Sequence, residues 1–168
     1  RLTIRGTPGH GSRPLGADNA LITASNIVQR IVEYHGDAYI SDTWREFVMS
    51  LDFPADQRDA LLDPARVTEV CAMLPLSQGP LFHACTHTTI SPNVMHAGTK
   101  TNVIPDSVIL DIDMRTVPGV ATADAQALLE DLLGELRDRV TIETLQAQES
   151  TKSARDTPLW NSLSAVVK

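Results

Sequence analysis

The sequence feature that most restricts the fold is an alternation between two spacings of apolar residues. Over residues 108–114, apolar side chains recur at every second position, which is the period of a strand with one buried face. Over residues 20–31 and 125–136, they recur at intervals of three and four, which places them along one side of a helix. A chain that switches between these spacings is expected to pack helices against a sheet.

Three other segments are predicted to be strands. Residues 1–5 alternate between polar and apolar, residues 81–90 alternate and are rich in threonine, and residues 140–145 form a short last strand. The predicted order is strand, helix, insertion, strand, strand, helix, strand. This is the β-α-β-β-α-β order of the ferredoxin-like sandwich, an α+β fold in which a four-stranded antiparallel sheet carries both helices on one face.

The ends of the two helices are predicted from their flanking residues. Asp18 or Asn19 is suited to cap the first helix, because a short side-chain oxygen accepts hydrogen bonds from the free backbone N–H groups there. Gly36 is suited to end that helix in the left-handed conformation. Thr122 is the predicted cap of the second helix.

Residues 37–80 do not fit the ferredoxin-like order and are interpreted as a helical insertion after the first helix. Two short helices are predicted within it, around residues 44–51 and 67–74, and four prolines punctuate the segment. We expect the apolar side chains of the insertion to be covered, either by the sheet or by a part of the protein outside this chain.

The composition argues against several classes of function. The chain has 168 residues, a formal net charge of −7 and 4% aromatic residues, so it lacks the basic surface and stacking side chains of nucleic-acid-binding proteins. No apolar run is long enough to cross a membrane. Cys71 and Cys85 are too few for a disulfide framework or a cysteine zinc site. We therefore expect a cytoplasmic protein without nucleic-acid or membrane partners.

The two ends of the sequence suggest a piece of a longer protein. Arg1 stands inside a predicted strand, and Lys168 stands inside a predicted helix. Residues 1–150 are expected to form one unit. Residues 151–168 are expected to form a connector and a further helix, with Pro158 at the first helical position.

Two of the five histidines have a spacing that can bind zinc when it occurs on a helix. These are His83 and His87. In the predicted strand, a rise of about 3.3 Å per residue separates their rings by roughly 13 Å, which is too far to share one ion. His35 and His96 are predicted to lie in solvated loops. We therefore predict no metal site in this chain.

Residues 6–14 follow the first strand and contain three glycines, two prolines and His10. Glycine adopts backbone angles that other residues avoid, and proline fixes φ, so a sharply shaped loop is predicted. Such a loop holds the imidazole of His10 at a fixed point beyond the strand. An ordinary strand-to-helix connection with a solvated histidine is the alternative interpretation of the same composition.

Three polar residues stand beside distinctive backbone: His10 in this loop, Asn102 after a glycine turn, and Arg115 at the end of the clearest strand. Their imidazole, amide and guanidinium groups are suited to bind a carboxylate and a developing oxyanion. As donors, they do not supply a nucleophile, a base or a metal. A self-sufficient active site is therefore not visible in the sequence.

Four motifs in chain order give the sequence a resemblance to a known family. They are Gly6-x-x-Gly9-His10-Gly11-Ser12-x-Pro14 with Asn19-Ala20, Thr88-Thr89-Ile90-Ser91-Pro92-Asn93, Gly98-x-Lys100-x-Asn102-Val103-Ile104-Pro105, and Asp113-x-Arg115-x-x-Pro118-Gly119. Together they resemble the lid domain of the zinc exopeptidase family that includes aminoacylase-1, glutamate carboxypeptidase and succinyl-diaminopimelate desuccinylase. The resemblance spans nearly the whole chain, and the insertion is longer than in the plain lid.

The resemblance implies a role for each of the three donors. His10 matches the lid histidine that reaches into the partner subunit's active site and stabilises the tetrahedral intermediate. Asn102 and Arg115 match lid residues that hold the substrate's carboxylate. Residues 1–150 would be the lid and dimerisation domain, and residues 151–168 would lead back into the catalytic domain.

The resemblance also implies what surrounds the lid. Family members hold zinc and their catalytic glutamate in the catalytic domain, so this piece alone is expected to bind no catalytic zinc and to be inactive. The implied partners are the protein's own catalytic domain, a second subunit in a homodimer, and a small peptide or N-acyl amino-acid substrate.

A second hypothesis is a stand-alone ferredoxin-like module that binds a small regulatory molecule, since this fold hosts many functions. The lid hypothesis predicts that His10, Asn102 and Arg115 are free on one open surface. The regulatory hypothesis predicts a closed pocket within the chain itself.

Overall fold

The computed structural model describes residues 1–151, 153–154 and 156–166. Its strands are β1 Leu2–Arg5, β2 Gly9–His10, β3 Thr89–Ala97, β4 Val103–Ile104, β5 Ser107–Arg115 and β6 Val140–Ile142. Its helices are α1 Ala20–Val32, α2 Asp42–Ser50, α3 Ala55–Leu61, α4 Val67–Met73, α5 Gly79–Thr86, α6 Thr122–Leu133 and α7 Pro158–Val166, with a 3-10 helix at Gly134–Arg139. Part of the predicted connector and last helix, namely Lys152, Arg155, Val167 and Lys168, lies outside the described residues.

Four strands form one antiparallel sheet in the order β3-β5-β1-β6. In the centre of the sheet, Leu2 of β1 lies opposite Leu110 of β5 on one side and Ile142 of β6 on the other. The ferredoxin-like prediction is therefore confirmed. The last strand is shorter than predicted, because it ends at Ile142.

The main core lies between this sheet and helices α1 and α6, where side chains from one face of each element meet. Its buried members are Leu2, Ile4, Ala20, Ala24, Ile27, Ile31, Val108, Leu110, Leu129, Leu133 and Val140. Both helices thus cover the same face of the sheet, as the spacing of their apolar residues predicted.

The helix caps differ in part from the prediction. Asn19 caps α1, and its side chain accepts a hydrogen bond from the N–H of Leu21 at 2.9 Å. Helix α1 ends at Val32, and Gly36 is not among the glycines with positive φ. Ala121, not Thr122, precedes α6, and the carboxylate of Asp124 accepts the free N–H of Ala121 at 3.1 Å.

The prediction of a strand over residues 81–90 is wrong for most of its length. Residues Gly79–Thr86 form helix α5, and strand β3 begins only at Thr89. The helix is favoured because Phe82 and Thr86, four residues apart, are both buried, and the Thr86 hydroxyl bonds back to the carbonyl of Phe82 at 3.0 Å. Tertiary burial thus overrides the strand preference of threonine.

The insertion contains four helices, α2 to α5, where two were predicted. Its apolar side chains cover one another in a second core, which consists of Trp44, Val48, Leu61, Val67, Cys71 and Phe82. The indole N–H of Trp44 donates to the carbonyl of Leu61 at 2.8 Å, and the Trp44 and Phe82 rings meet edge to face at 5.2 Å. The insertion therefore buries part of its apolar surface within itself, while Met73 and Leu76 are 74% and 91% exposed.

Strand β3 bends in its middle. Its register against β5 shifts between Pro92 and Val94, which leaves Asn93 as an extra residue on one strand. Proline cannot donate to the ladder, so a bulge beside it on an edge strand is the expected arrangement. The bend thus lies within one continuous strand.

Candidate functional site

The His10 loop is held by a small second sheet. Strands β2 and β4 pair so that Gly9 lies opposite Ile104 and His10 lies opposite Val103. The N–H of Gly11 then donates to the carbonyl of Asn102 at 2.8 Å. Two loops that are far apart in the sequence are therefore joined, and His10 and Asn102 are brought to the same end of the molecule.

The glycine at position 11 is required by this close approach. A Cβ atom built on Gly11 would lie 3.1 Å from the Cα, carbonyl carbon and oxygen of Asn102, which is backbone that has little freedom to move. On the other side of the contact, Gly98 begins the turn with a φ of 66°, a conformation that glycine adopts without strain. Gly11 and Gly98 therefore each have a steric reason to be glycine.

His10 is exposed, but one side of its ring is occupied. Its Nδ1 lies 2.8 Å from the hydroxyl of Ser12 and 3.2 Å from the backbone nitrogen of Ser12. The N–H of Arg13 donates to the carbonyl of His10 at 2.9 Å, which closes a four-residue turn. The predicted sharp loop is thus a β-turn that folds back on the imidazole. The contact with Ser12 was missed by sequence reasoning, although a serine two residues beyond His10 in a glycine turn was its signal.

Arg115 lies at the opposite end of the sheet. Strand β5 runs from Ser107, which pairs with Arg5 beside the His10 loop, to Arg115, which pairs with Thr89. Eight steps of about 3.3 Å place these two ends of β5 roughly 26 Å apart. His10 and Asn102 therefore lie at one end of the molecule, and Arg115 lies towards the other end of β5.

The sheet face opposite the helices carries paired charges. The guanidinium of Arg1 lies 2.8 Å from the carboxylate of Asp111, and this hydrogen bond holds the pKa of Asp111 below its usual value. The guanidinium of Arg115 lies 2.9 Å from the carboxylate of Asp113, and the Arg115 side chain is 76% exposed. An exposed pair of this kind is weak, so Arg115 can exchange Asp113 for another carboxylate at little cost.

Arg115 also lines a cavity of about 650 Å³ between the end of β5, the start of α6 and residues 142–150. Neither His10 nor Asn102 lines this cavity. The regulatory hypothesis predicted a closed pocket within the chain, and this cavity does not bring the three donors together.

Comparison with known proteins decides between the two hypotheses. A family model described as a peptidase dimerisation domain matches residues 1–141. The chain belongs to the peptidase dimerisation domain family. The resemblance drawn from the four sequence motifs is thereby confirmed.

Two solved structures are similar to this dimerisation domain. The M20 family metallo-carboxypeptidase Sso-CP2 from Sulfolobus solfataricus has a TM-score of 0.67 and 13% identity, over 96% of this chain and 40% of that one. The dipeptidase Dug1p from Saccharomyces cerevisiae has a TM-score of 0.64 and 14% identity, over 95% of this chain and 37% of that one. At these identities the likeness shows the fold alone, and the chain spans about two-fifths of either protein. No curated protein sequence matches it.

The histidine pair of the dimerisation domain is arranged differently from the prediction. Because α5 is a helix that ends at Thr86, the rings of His83 and His87 stack with centroids 4.0 Å apart. His87 is buried, its Nε2 lies 2.9 Å from the Thr68 hydroxyl and its Nδ1 lies 2.9 Å from the Thr86 hydroxyl. Both nitrogens of His87 are thus used within the insertion. His96 lies in β3 and not in a loop.

The dimerisation domain offers no metal centre within its described residues. Over residues 1–151, 153–154 and 156–166, no group of three or more His, Cys, Asp or Glu side chains could hold an ion. In the same part of the chain, no helix is both long and apolar enough to span a membrane.

Proposed function

We propose that this dimerisation domain is the lid of a zinc-dependent metallopeptidase or amidohydrolase that hydrolyses peptide or N-acyl amino-acid amide bonds. Family membership supports a role within a larger peptidase, and the two similar structures are named as a carboxypeptidase and a dipeptidase. The observation that carries the proposal is the placement of the donors. His10 and Asn102 are fixed at one end of the sheet, while Arg115 is exposed at the other.

Each donor has a role that suits its chemistry. The imidazole of His10 donates a hydrogen bond to the oxyanion that develops when the amide carbonyl is attacked. The guanidinium of Arg115 and the amide of Asn102 bind the carboxylate of the substrate. A lid with these groups orients a small substrate and stabilises its transition state without a nucleophile of its own.

The separation of the donors requires two subunits. The two ends of β5 lie roughly 26 Å apart, which is farther than a small peptide or N-acyl amino acid extends. In a homodimer, the His10–Asn102 end of one lid serves the active site of the other subunit, and Arg115 serves the active site of its own subunit. Each active site is then complete only when both lids are present.

Strand β3 is the proposed dimer contact. Among the described residues it pairs only with β5, so one edge of this nine-residue strand is available for a second copy. Val94 and Met95 near its centre are 43% and 39% exposed. Pairing of two such edges would continue the antiparallel sheet across the dimer axis.

Zinc and its ligands belong to the catalytic domain in this proposal, and zinc there lowers the pKa of the attacking water. Residues 151–168 lead into that domain. Support comes from α7, where Leu159, Leu163 and Val166 are 68%, 55% and 84% exposed and form an apolar surface that the catalytic domain would cover.

We place the protein in the cytoplasm, without nucleic-acid or membrane partners. Cys71 and Cys85 are both free thiols, which suits a reducing compartment. The net charge of −7 opposes binding to nucleic acid and to anionic lipid.

The test is made on the full-length protein loaded with zinc. His10→Ala is expected to lower kcat by about 10² to 10³, as for loss of an oxyanion donor, with zinc content and dimerisation unchanged. Arg115→Ala is expected to raise KM for substrates with a free carboxylate. A substrate whose carboxylate is replaced by an amide is the control, because it should not distinguish Arg115→Ala from the wild type. Unchanged kcat in His10→Ala would overturn the proposal.

A further inference from the structure

The tautomer of His10 is set by its contact with Ser12. A backbone N–H can only donate a hydrogen bond, and the Ser12 nitrogen lies 3.2 Å from Nδ1 of His10. Nδ1 must therefore be an acceptor and carry no proton. In the neutral imidazole the proton then resides on Nε2.

The Ser12 hydroxyl reinforces this assignment. It lies 2.8 Å from the same Nδ1 atom, to which it donates because the acceptor role of Nδ1 is already fixed by the backbone. Nε2 of His10 has no hydrogen-bond partner within the described part of the chain. Two donors of Ser12 thus share the lone pair of Nδ1, and Nε2 is left as a donor for an external ligand.

The turn that carries these contacts is itself anchored. Its closing bond joins Arg13 to His10, and Gly11 is bonded to the backbone of Asn102. The Ser12 donors therefore keep a fixed position relative to the β2–β4 ribbon. Rotation of the His10 ring about its side-chain bonds would break both contacts with Ser12 at once.

We propose that Ser12 is a positioning residue, which holds His10 as the Nε2–H tautomer with that N–H directed at the substrate. The inference rests on the proposed function, in which His10 donates to the oxyanion. An acceptor in place of that N–H would repel the oxyanion, so the tautomer and the ring orientation both affect the rate. Ser12 acts through His10 and needs no contact with the substrate.

The direct test is 15N NMR of the full-length zinc enzyme with labelled histidine. The His10 signals are identified as those that His10→Gln removes. In the wild type we expect a non-protonated Nδ1 and a protonated Nε2. Ser12→Ala keeps the backbone donor and loses the hydroxyl, so the share of the Nδ1–H form is expected to rise. Ser12→Thr, which restores a hydroxyl, is expected to return the wild-type signals.

Kinetics of the same variants test the consequence. Ser12→Ala is expected to lower kcat roughly three- to tenfold, the effect of one hydrogen bond, with KM close to the wild-type value. Ser12→Thr is expected to regain most of the loss. Ser50→Ala is the matched control, because its exposed hydroxyl only bonds the Phe47 carbonyl in α2. In a His10→Ala background, Ser12→Ala is expected to have no further effect.

The outcomes separate the two proposals. Two results would overturn the role of Ser12 and leave the proposed function intact. One is a protonated Nδ1 in the wild type. The other is an unchanged tautomer and kcat in Ser12→Ala while His10→Ala is impaired. An unimpaired His10→Ala would overturn the proposed function, whatever the tautomer. Equal loss from Ser12→Ala in the presence and absence of His10 would show a role that does not pass through the imidazole and would also overturn the inference.

Discussion

Hybrid dimers of two impaired subunits test whether the active site is shared. The structural basis is the length of β5, since eight strand steps of about 3.3 Å separate Ser107 from Arg115 by roughly 26 Å. The His10 loop adjoins the Ser107 end, where the N–H of Gly6 donates to the carbonyl of Asp106 at 2.7 Å. An extended dipeptide spans only about 7 Å. A single lid therefore cannot place both groups on one small substrate.

The experiment combines a His10→Ala subunit with an Arg115→Ala subunit. The two full-length chains carry different affinity tags, so the hybrid can be purified away from both homodimers. If each active site takes His10 from one subunit and Arg115 from the other, one site of the hybrid has both substitutions and the second site has neither. The hybrid should then show about half of the wild-type kcat per dimer, because the symmetric dimer has two equivalent sites.

A second hybrid is the matched control. A His10→Ala subunit combined with an Asn102→Ala subunit should stay impaired, since these two residues lie at the same end of one lid and each site keeps one substitution. The shared site would be refuted if this control regained activity. It would also be refuted if the first hybrid were no more active than the mean of its two parent homodimers.

Three further predictions concern the stability of the domain. Gly11→Ala should destabilise the β2–β4 ribbon by about 1–3 kcal/mol, because its Cβ would lie 3.1 Å from the backbone of Asn102; denaturant unfolding measures this. Trp44→Phe should lower the free energy of unfolding by about 1–3 kcal/mol, because it leaves the buried Leu61 carbonyl without its donor. Unfolding monitored by near-ultraviolet circular dichroism measures this decrease. Burial and two neighbouring histidines lower the pKa of His83 below its unfolded value of about 6.5. As the pH is lowered through that value, the unfolded chain binds more protons than the folded one, so the free energy of unfolding decreases. His83→Gln should reduce that decrease in thermal scans between neutral and acidic pH, and an unchanged pH dependence would contradict it.

The sheet and its two helices could be predicted because each buries one face only. Val108 and Leu110 are fully or nearly fully buried, while Asp111 and Asp113 alternate with the core residues and carry charge on the opposite face. One-sided burial leaves a regular period in the sequence, and the period identifies the element without knowledge of its neighbours.

Helix α5 could not be predicted in the same way. Its sequence alternates between polar and apolar residues, but the contacts that decide its structure are four residues apart, at Phe82 and Thr86. A short segment of mixed polarity fits both periods, and the choice is made by packing against α4, where Gly79 approaches the carbonyl of Cys71 too closely for any side chain. Pro80 in the first helical turn was the available signal.

The sequence indicated three candidate site residues, but it did not predict how the fold arranges them. The nearness of His10 and Asn102 depends on β2 and β4, which are two residues long and leave no periodic pattern. The distance of Arg115 from both could have been inferred, since Asn102 precedes β5 and Arg115 ends it. A nine-residue strand with one donor at each end must hold those donors far apart.

The position of the insertion explains how the sandwich tolerates it. The chain enters the insertion after α1 and leaves it before β3, and the N–H of Tyr39 donates to the carbonyl of Thr86 at 2.7 Å, so entry and exit lie side by side. Thr89, the first residue of β3, pairs with Arg115, which places the junction at the Arg115 end of the sheet. The insertion has its own core, which is separate from the main one. The junction of the insertion therefore lies away from the His10–Asn102 end, where β2 pairs with β4 and the N–H of Gly11 donates to the carbonyl of Asn102.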